Sequence, residues 1–107
     1  MNEEILVVLC TCPDERTGTG IATALLAENL AACVNCVTGI RSMYRWEGQT
    51  REDTEVLLVI KTTTSRYAAL QALIQARHPY DVPEVIAMPV VAGASNYLDW
   101  IRQATSE

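Results

Sequence analysis

ACVNCVTGIRSMYRWEGQTREDTEVLLVIK, running from Ala32 to Lys61, decides the fold, because it reads as one long β-hairpin. The outgoing strand passes through Val37, Ile40, Met43 and Tyr44 to Trp46, and Glu47-Gly48-Gln49 supplies a turn. The return strand ends at Lys61 after Val56-Leu57-Leu58-Val59-Ile60, an apolar run without alternation. Such a run is expected of a central strand covered on both faces. Both arms far exceed the usual strand of about 5–6 residues. Their outer ends, around Trp46, cannot all lie over one small core, so an arm is expected to project.

Outward from the hairpin, the flanks read as one β-α unit on each side. Ile5 to Cys12 is a short apolar run closed by Pro13, which suits a buried strand. Pro13-Asp14-Glu15 starts a helix with acidic residues at its positive end, and Ile21, Ala22, Leu25, Leu26 and Leu30 form its apolar stripe. Gly18 and Gly20 weaken this helix by about 1 kcal/mol each relative to Ala, so docking of the stripe must hold it. Downstream, Ser65 is placed to cap a second helix carrying Tyr67, Leu70, Leu73 and Ile74. Arg77-His78-Pro79 ends it, since proline cannot continue a helix. After the loop Tyr80-Asp81-Val82-Pro83, Glu84 to Val91 reads as a fourth strand, broken by Ala92-Gly93. A last short helix from about Ser95 carries Tyr97, Leu98, Trp100 and Ile101. The order is β-α-β-β-α-β, an α+β ferredoxin-like sandwich with an extra C-terminal helix and a long β-hairpin arm.

The 107 residues bound one domain, spanning 1–107, because a second would lack apolar surface for its own core. Half the residues are apolar, a generous share for so small a body, which points to burial against further chains. The net charge of −5 argues against nucleic acid, whose binding draws on basic surface. No segment approaches the roughly 20 apolar residues that span a bilayer. Met1-Asn2-Glu3-Glu4 is acidic and leads straight into a strand, so no secretory leader is expected. The expected compartment is the cytoplasm, where Cys10, Cys12, Cys33 and Cys36 stay reduced.

Candidate chemistry is sparse. Cys33-Val34-Asn35-Cys36 follows a helix and enters a strand, whereas a redox C-x-x-C needs its first Cys at a helix N-terminus. Residues three apart on a strand point to opposite faces, so these sulfurs do not converge on a metal. Cys10-Thr11-Cys12 differs, since residues two apart share a face about 6.6 Å from each other. The pair reads either as two thiols side by side for a soft cation such as Cu(I), or as one core Cys beside one at the strand end. His78 is the only histidine, which leaves little acid–base machinery and no Ser-His-Asp chemistry within one chain, so no enzyme is expected. Gly18-Thr19-Gly20 lacks the third glycine of a dinucleotide loop, position 23 being Thr. Lys61, Tyr80 and Glu84 fall near strand ends and read either as a small anion site or as a solvated rim.

Five segments together resemble the CutA family of divalent-cation tolerance proteins. They are Leu30 to Asn35, Ser42 to Gly48, Glu55 to Thr62, His78 to Glu84, and Tyr97 to Trp100, so the resemblance runs from about residue 5 to residue 102. It implies a homotrimer whose hairpin arms pair edge to edge between subunits, with Trp46, Tyr97 and Trp100 as contacts. It also implies a role in metal tolerance, with copper or another divalent cation held by Cys10 and His78. Arg77 stands where a second histidine is expected for the paired-histidine version. The alternative implied is a PII-like signalling module, binding a small anionic ligand in a cleft between subunits lined by Lys61, Tyr80 and Glu84.

Overall fold

The computed structural model describes residues 4–106, so the acidic start read at Met1 to Glu3 lies outside the described residues. Strand β1 (Ile5–Cys12) is followed by helix α1 (Glu15–Ala27), strands β2 (Cys33–Trp46) and β3 (Gln49–Thr63), helix α2 (Tyr67–Arg77), strand β4 (Ile86–Pro89) and helix α3 (Ser95–Ala104). The four strands form one antiparallel sheet in the order β2-β3-β1-β4, which is the ferredoxin-like arrangement expected.

Strand alternation assigns the two faces. Leu6, Val8, Cys10 and Cys12 of β1 and Val56, Leu58 and Ile60 of β3 pack against Ile21 and Leu25 of α1 and Leu70 and Ile74 of α2, forming the core. Gly18 lies at the α1–sheet contact, where an added Cβ would stand 3.3 Å from Leu58 Cδ2, so the residue allows close approach of helix and sheet. The opposite face carries Val7, Leu9, Leu57 and Val59, which are only half-buried, and the exposed Ile86 and Met88 of β4. The continuous apolar run of β3 is thus not covered on both faces within one chain: helices α1 and α2 take one face, and the other stays open. At its Thr63 end, α3 closes that open face, with Thr63 Oγ1 3.4 Å from Thr105 Oγ1 and Arg66 Nε donating to Thr105 O at 2.6 Å.

The hairpin is long, as read, with paired residues from Cys33–Lys61 out to Trp46–Gln49 and one irregularity between Val37 and Ile40. Glu47 and Gly48 both have positive φ, 51° and 78°, the geometry of a two-residue type I′ turn that matches strand twist. Because β1 ends at Cys12 opposite Val56, the ribbon beyond Glu55 has no third strand, and the chain stretches to 46 × 26 × 22 Å.

Three boundaries differ from the sequence reading. Helix α1 ends at Ala27 and the chain turns at Asn29, whose φ is 57°, so Leu30, read as part of the helix stripe, enters the core from the loop beyond it. A 3₁₀ turn over Thr64–Arg66 precedes α2, so Arg66 and not Ser65 occupies the cap position, and no side chain caps that end. Strand β4 covers only Ile86–Pro89, not Glu84 to Val91, because its ladder with β1 runs only from Leu6–Pro89 to Leu9–Ile86.

Candidate metal centre

Three donors meet where β1 ends against the C-terminus of α2. Cys10 and Cys12 lie two apart on one strand, hence on one face, and both are fully buried. Pro79 forces the preceding residue out of helical geometry, and His78 is extended at φ −74°, ψ 137°, which ends α2 and releases the ring from the helix. The imidazole is 7% exposed and rests against β1, its Nε2 2.7 Å from the Thr11 carbonyl oxygen. Its Nδ1 accepts from the Tyr80 N–H at 3.2 Å, which assigns the Nε2–H tautomer. Ligand atoms of Cys10, Cys12 and His78 all lie within 4.8 Å of one another. No other group of three or more His, Cys, Asp or Glu converges in this way among the described residues.

The two thiols are close neighbours, and Cys10 Sγ donates to the Thr11 carbonyl oxygen at 3.8 Å. The contact with Cys12, followed by burial, pushes the Cys10 thiol far up, while the same contact pulls Cys12 down. Of the two, Cys12 is the thiol poised to ionise first. Of the two readings of Cys10-Thr11-Cys12, the geometry is that of the side-by-side thiols. Cys12 was absent from the donor set carried by the resemblance, since spacing alone does not show which end of β1 meets His78. Cys33 and Cys36 pair with Lys61 and Leu58 on β3, three residues apart and so on opposite faces, as read.

A cleft opens on the other face of the same strand end. Its volume is about 550 Å³, and Thr11 belongs to both sites, through its carbonyl toward His78 and as part of the cleft wall. Tyr80 also joins them: its ring lies 4.7 Å from that of His78, and its hydroxyl donates to Glu55 Oε2 at 2.8 Å. Burial, then the Glu55 carboxylate, pushes the Tyr80 phenol up. Tyr80 and Glu84 line this cleft, but Lys61 does not. Lys61 sits six residues along β3 from Glu55, about 20 Å at the normal strand rise, and donates to Asn35 Oδ1. Within one chain, then, Lys61 stands apart from Tyr80 and Glu84, whereas the cleft implied by the resemblance lies between subunits.

The family model described as CutA1 divalent ion tolerance protein matches residues 6–104. The divalent-cation tolerance protein CutA of Thermus thermophilus is 50% identical over 92% of this chain and 96% of its own length. The chloroplastic Protein CutA of Arabidopsis thaliana is 46% identical over 94% of this chain and 55% of its own. Among solved structures, CutA1 from Oryza sativa matches with a TM-score of 0.95 at 46% identity, covering 98% of this chain and 96% of that one. The CutA structure from Archaeoglobus fulgidus, described as periplasmic, matches at 0.92 with 32% identity, covering 95% of this chain and 99% of that one.

Proposed function

The chain belongs to the CutA1 divalent ion tolerance family, and from that premise we propose that it serves divalent-cation tolerance by binding copper at Cys10, Cys12 and His78. The observation that carries this reading is the convergence of two thiol sulfurs and one imidazole nitrogen at a single buried point. Thiolate and imidazole donors suit soft and borderline ions, copper as Cu(I) ahead of hard cations such as Ca²⁺ or Mg²⁺. Donors sharing one tetrahedral ion at bond lengths of about 2.0–2.3 Å stand about 3.3–3.8 Å apart. The observed separations of up to 4.8 Å fit such an ion after a contraction of about 1 Å. His78 must release one of its two hydrogen bonds, and the 3.2 Å contact with Tyr80 is the weaker. The bond to the Thr11 carbonyl would then orient the ring, as outer contacts of metal-bound histidines do. A bound ion would supply positive charge that draws off the thiol protons, so that uptake releases protons. The reading contains no catalytic step.

The proposal places this site in a cytoplasmic homotrimer. Its support is the open apolar sheet face, the unpaired outer edges of β2 and β4, and a two-stranded ribbon that is marginal in water by itself. The free thiols are at home in a reducing compartment. The alternative, an anionic effector in the cleft, draws no support from a wall that carries Asp53, Glu55, Asp81 and Glu84 and no basic residue.

The test is competition for Cu(I) against a chromophoric chelator, under anaerobic reducing conditions, with Zn²⁺ run in parallel. The wild type is expected to take about one Cu(I) per chain, and Cys12→Ser and His78→Ala to bind at least about tenfold more weakly. Unchanged affinity in the folded Cys12→Ser, His78→Ala double variant would remove the site.

A further inference from the structure

The cleft beside the thiol–imidazole cluster is not used by the proposed metal chemistry, yet it has the properties of a built site. It is walled by three aromatic rings, Tyr44, Trp46 and Tyr80, and by the carboxylates of Asp53, Glu55, Asp81 and Glu84. Its volume of about 550 Å³ falls within the usual range for small-molecule sites. The register explains why the hairpin delivers this set. Ser42 pairs with Asp53 and Tyr44 with Arg51, so Ser42, Tyr44, Trp46, Asp53 and Glu55 project from one face of the ribbon. The loop before β4 then brings Tyr80 to Glu84 across that face.

Glu55 is the group that asks for a partner. It is 7% exposed, and its carboxylate accepts one hydrogen bond among the described residues, from the Tyr80 hydroxyl. The ion pairs Arg41–Glu52 and Arg102–Asp99 lie elsewhere, and no Lys or Arg lines the cleft. A nearly buried carboxylate without a cation carries an unmet desolvation cost, which a positive group entering the cleft would offset. Among the described residues Asp53 is likewise engaged by a phenol, the Tyr44 hydroxyl. Two phenols thus hold two carboxylates in place.

The nature of the cation follows from how the carboxylates are spread. No three of them converge as metal ligands do, so a bare metal ion finds no coordination shell here. Carboxylates dispersed around aromatic faces match a cation that is itself extended, with nitrogen toward carboxylate oxygen and its carbon stem over the rings. Val82 adds apolar wall for such a stem. We propose that this cleft is a binding site for an organic cation, an alkylammonium or guanidinium compound with an aliphatic chain. It is independent of the copper reading, since neither Cys10, Cys12 nor His78 lines it.

The experiment uses the full chain in whatever assembly it forms. In a Trp100→Phe background, Trp46 is the single indole and reports occupancy of the cleft. Putrescine and agmatine are titrated beside butanediol, the neutral counterpart, and succinate, the anionic one, with calorimetry on the wild type in parallel. Saturable binding of the two cations and not of butanediol or succinate is expected, weakening as salt is raised. Glu55→Gln, and separately the exposed pair Asp81→Asn with Glu84→Gln, are expected to weaken it by at least about tenfold. No saturation by about 10 mM, equal binding of succinate, or full affinity in the folded Asp81→Asn, Glu84→Gln variant would overturn the proposal. Copper binding to the same preparations, whether present or absent, is read separately.

Discussion

At the scale of single residues, the termini of elements show how one side chain can set a local structure and its pH response. Asp14 is extended at φ −157°, and its carboxylate accepts the Thr17 N–H at 2.8 Å, capping α1. That backbone hydrogen bond, with the Thr17 side chain and Arg16 assisting, holds the Asp14 carboxyl below its ordinary value of 3.8. A depressed carboxylate pKa stabilises the fold above the unfolded value, and the contribution is lost as pH falls through the folded one. Asp14→Asn keeps an oxygen cap but cannot titrate, so its stability should fall less steeply on acidification than the wild type's. Denaturation midpoints between about pH 6 and pH 3 check this, and identical acid limbs would clear Asp14 of the effect. His78 works differently: its backbone is set by Pro79, but its ring is placed by a carbonyl on another strand.

At the scale of elements, α1 carries two glycines that the sequence cannot tell apart and the packing can. An added Cβ at Gly20 meets nothing within 4 Å, whereas one at Gly18 presses on Leu58, a fully buried core residue. Gly20→Ala is therefore expected to stabilise the protein by about 0.5–1 kcal/mol, through lower backbone entropy in the unfolded chain. Gly18→Ala should gain less or lose, because the side chain of Leu58 must give way. Thermal midpoints of both variants at one protein concentration compare them, and equal gains would contradict the close approach of α1 to β3. The hairpin shows a second contrast. Its turn was legible because Gly48 follows Glu47 between two strand patterns, but the irregularity between Val37 and Ile40 was not.

At the scale of the whole molecule, one chain leaves a sheet face largely open. Helices cover one sheet face, α3 covers only the end of the other, and the ribbon beyond Glu55 stands without a third strand. Half-buried Val7, Leu9, Leu57 and Val59 and exposed Ile86 and Met88 leave apolar surface that a monomer would have to hydrate. Light scattering on the eluting protein, without added metal, is expected to give three chain masses. Leu57→Glu, which puts a charge on the open face and not in the core, should lower that mass. A monomer for the wild type would leave the arm and the open face unexplained and would sink the trimer proposal.

What the sequence determined by itself was local. Pro13, Pro79 and the apolar periodicities set the ends and order of the elements, because a proline or a turn glycine acts on the backbone within a few residues. The alternation along β1 also followed, and with it the shared face of Cys10 and Cys12. Only the tertiary structure decided what those faces meet. His78 reaches the Thr11 carbonyl across 67 residues, and Tyr80 reaches Glu55 across 25. No periodicity encodes such distances in the chain, since they depend on how far β4 slides along β1 and how α2 seats on the sheet. For that reason the thiol–imidazole cluster was half legible, through Cys10 and His78, and gained Cys12 only on folding. Of the acidic aromatic cleft only Tyr80 and Glu84 were legible, while Asp53, Glu55, Tyr44 and Trp46 were missed although they stood at spacings that share a face.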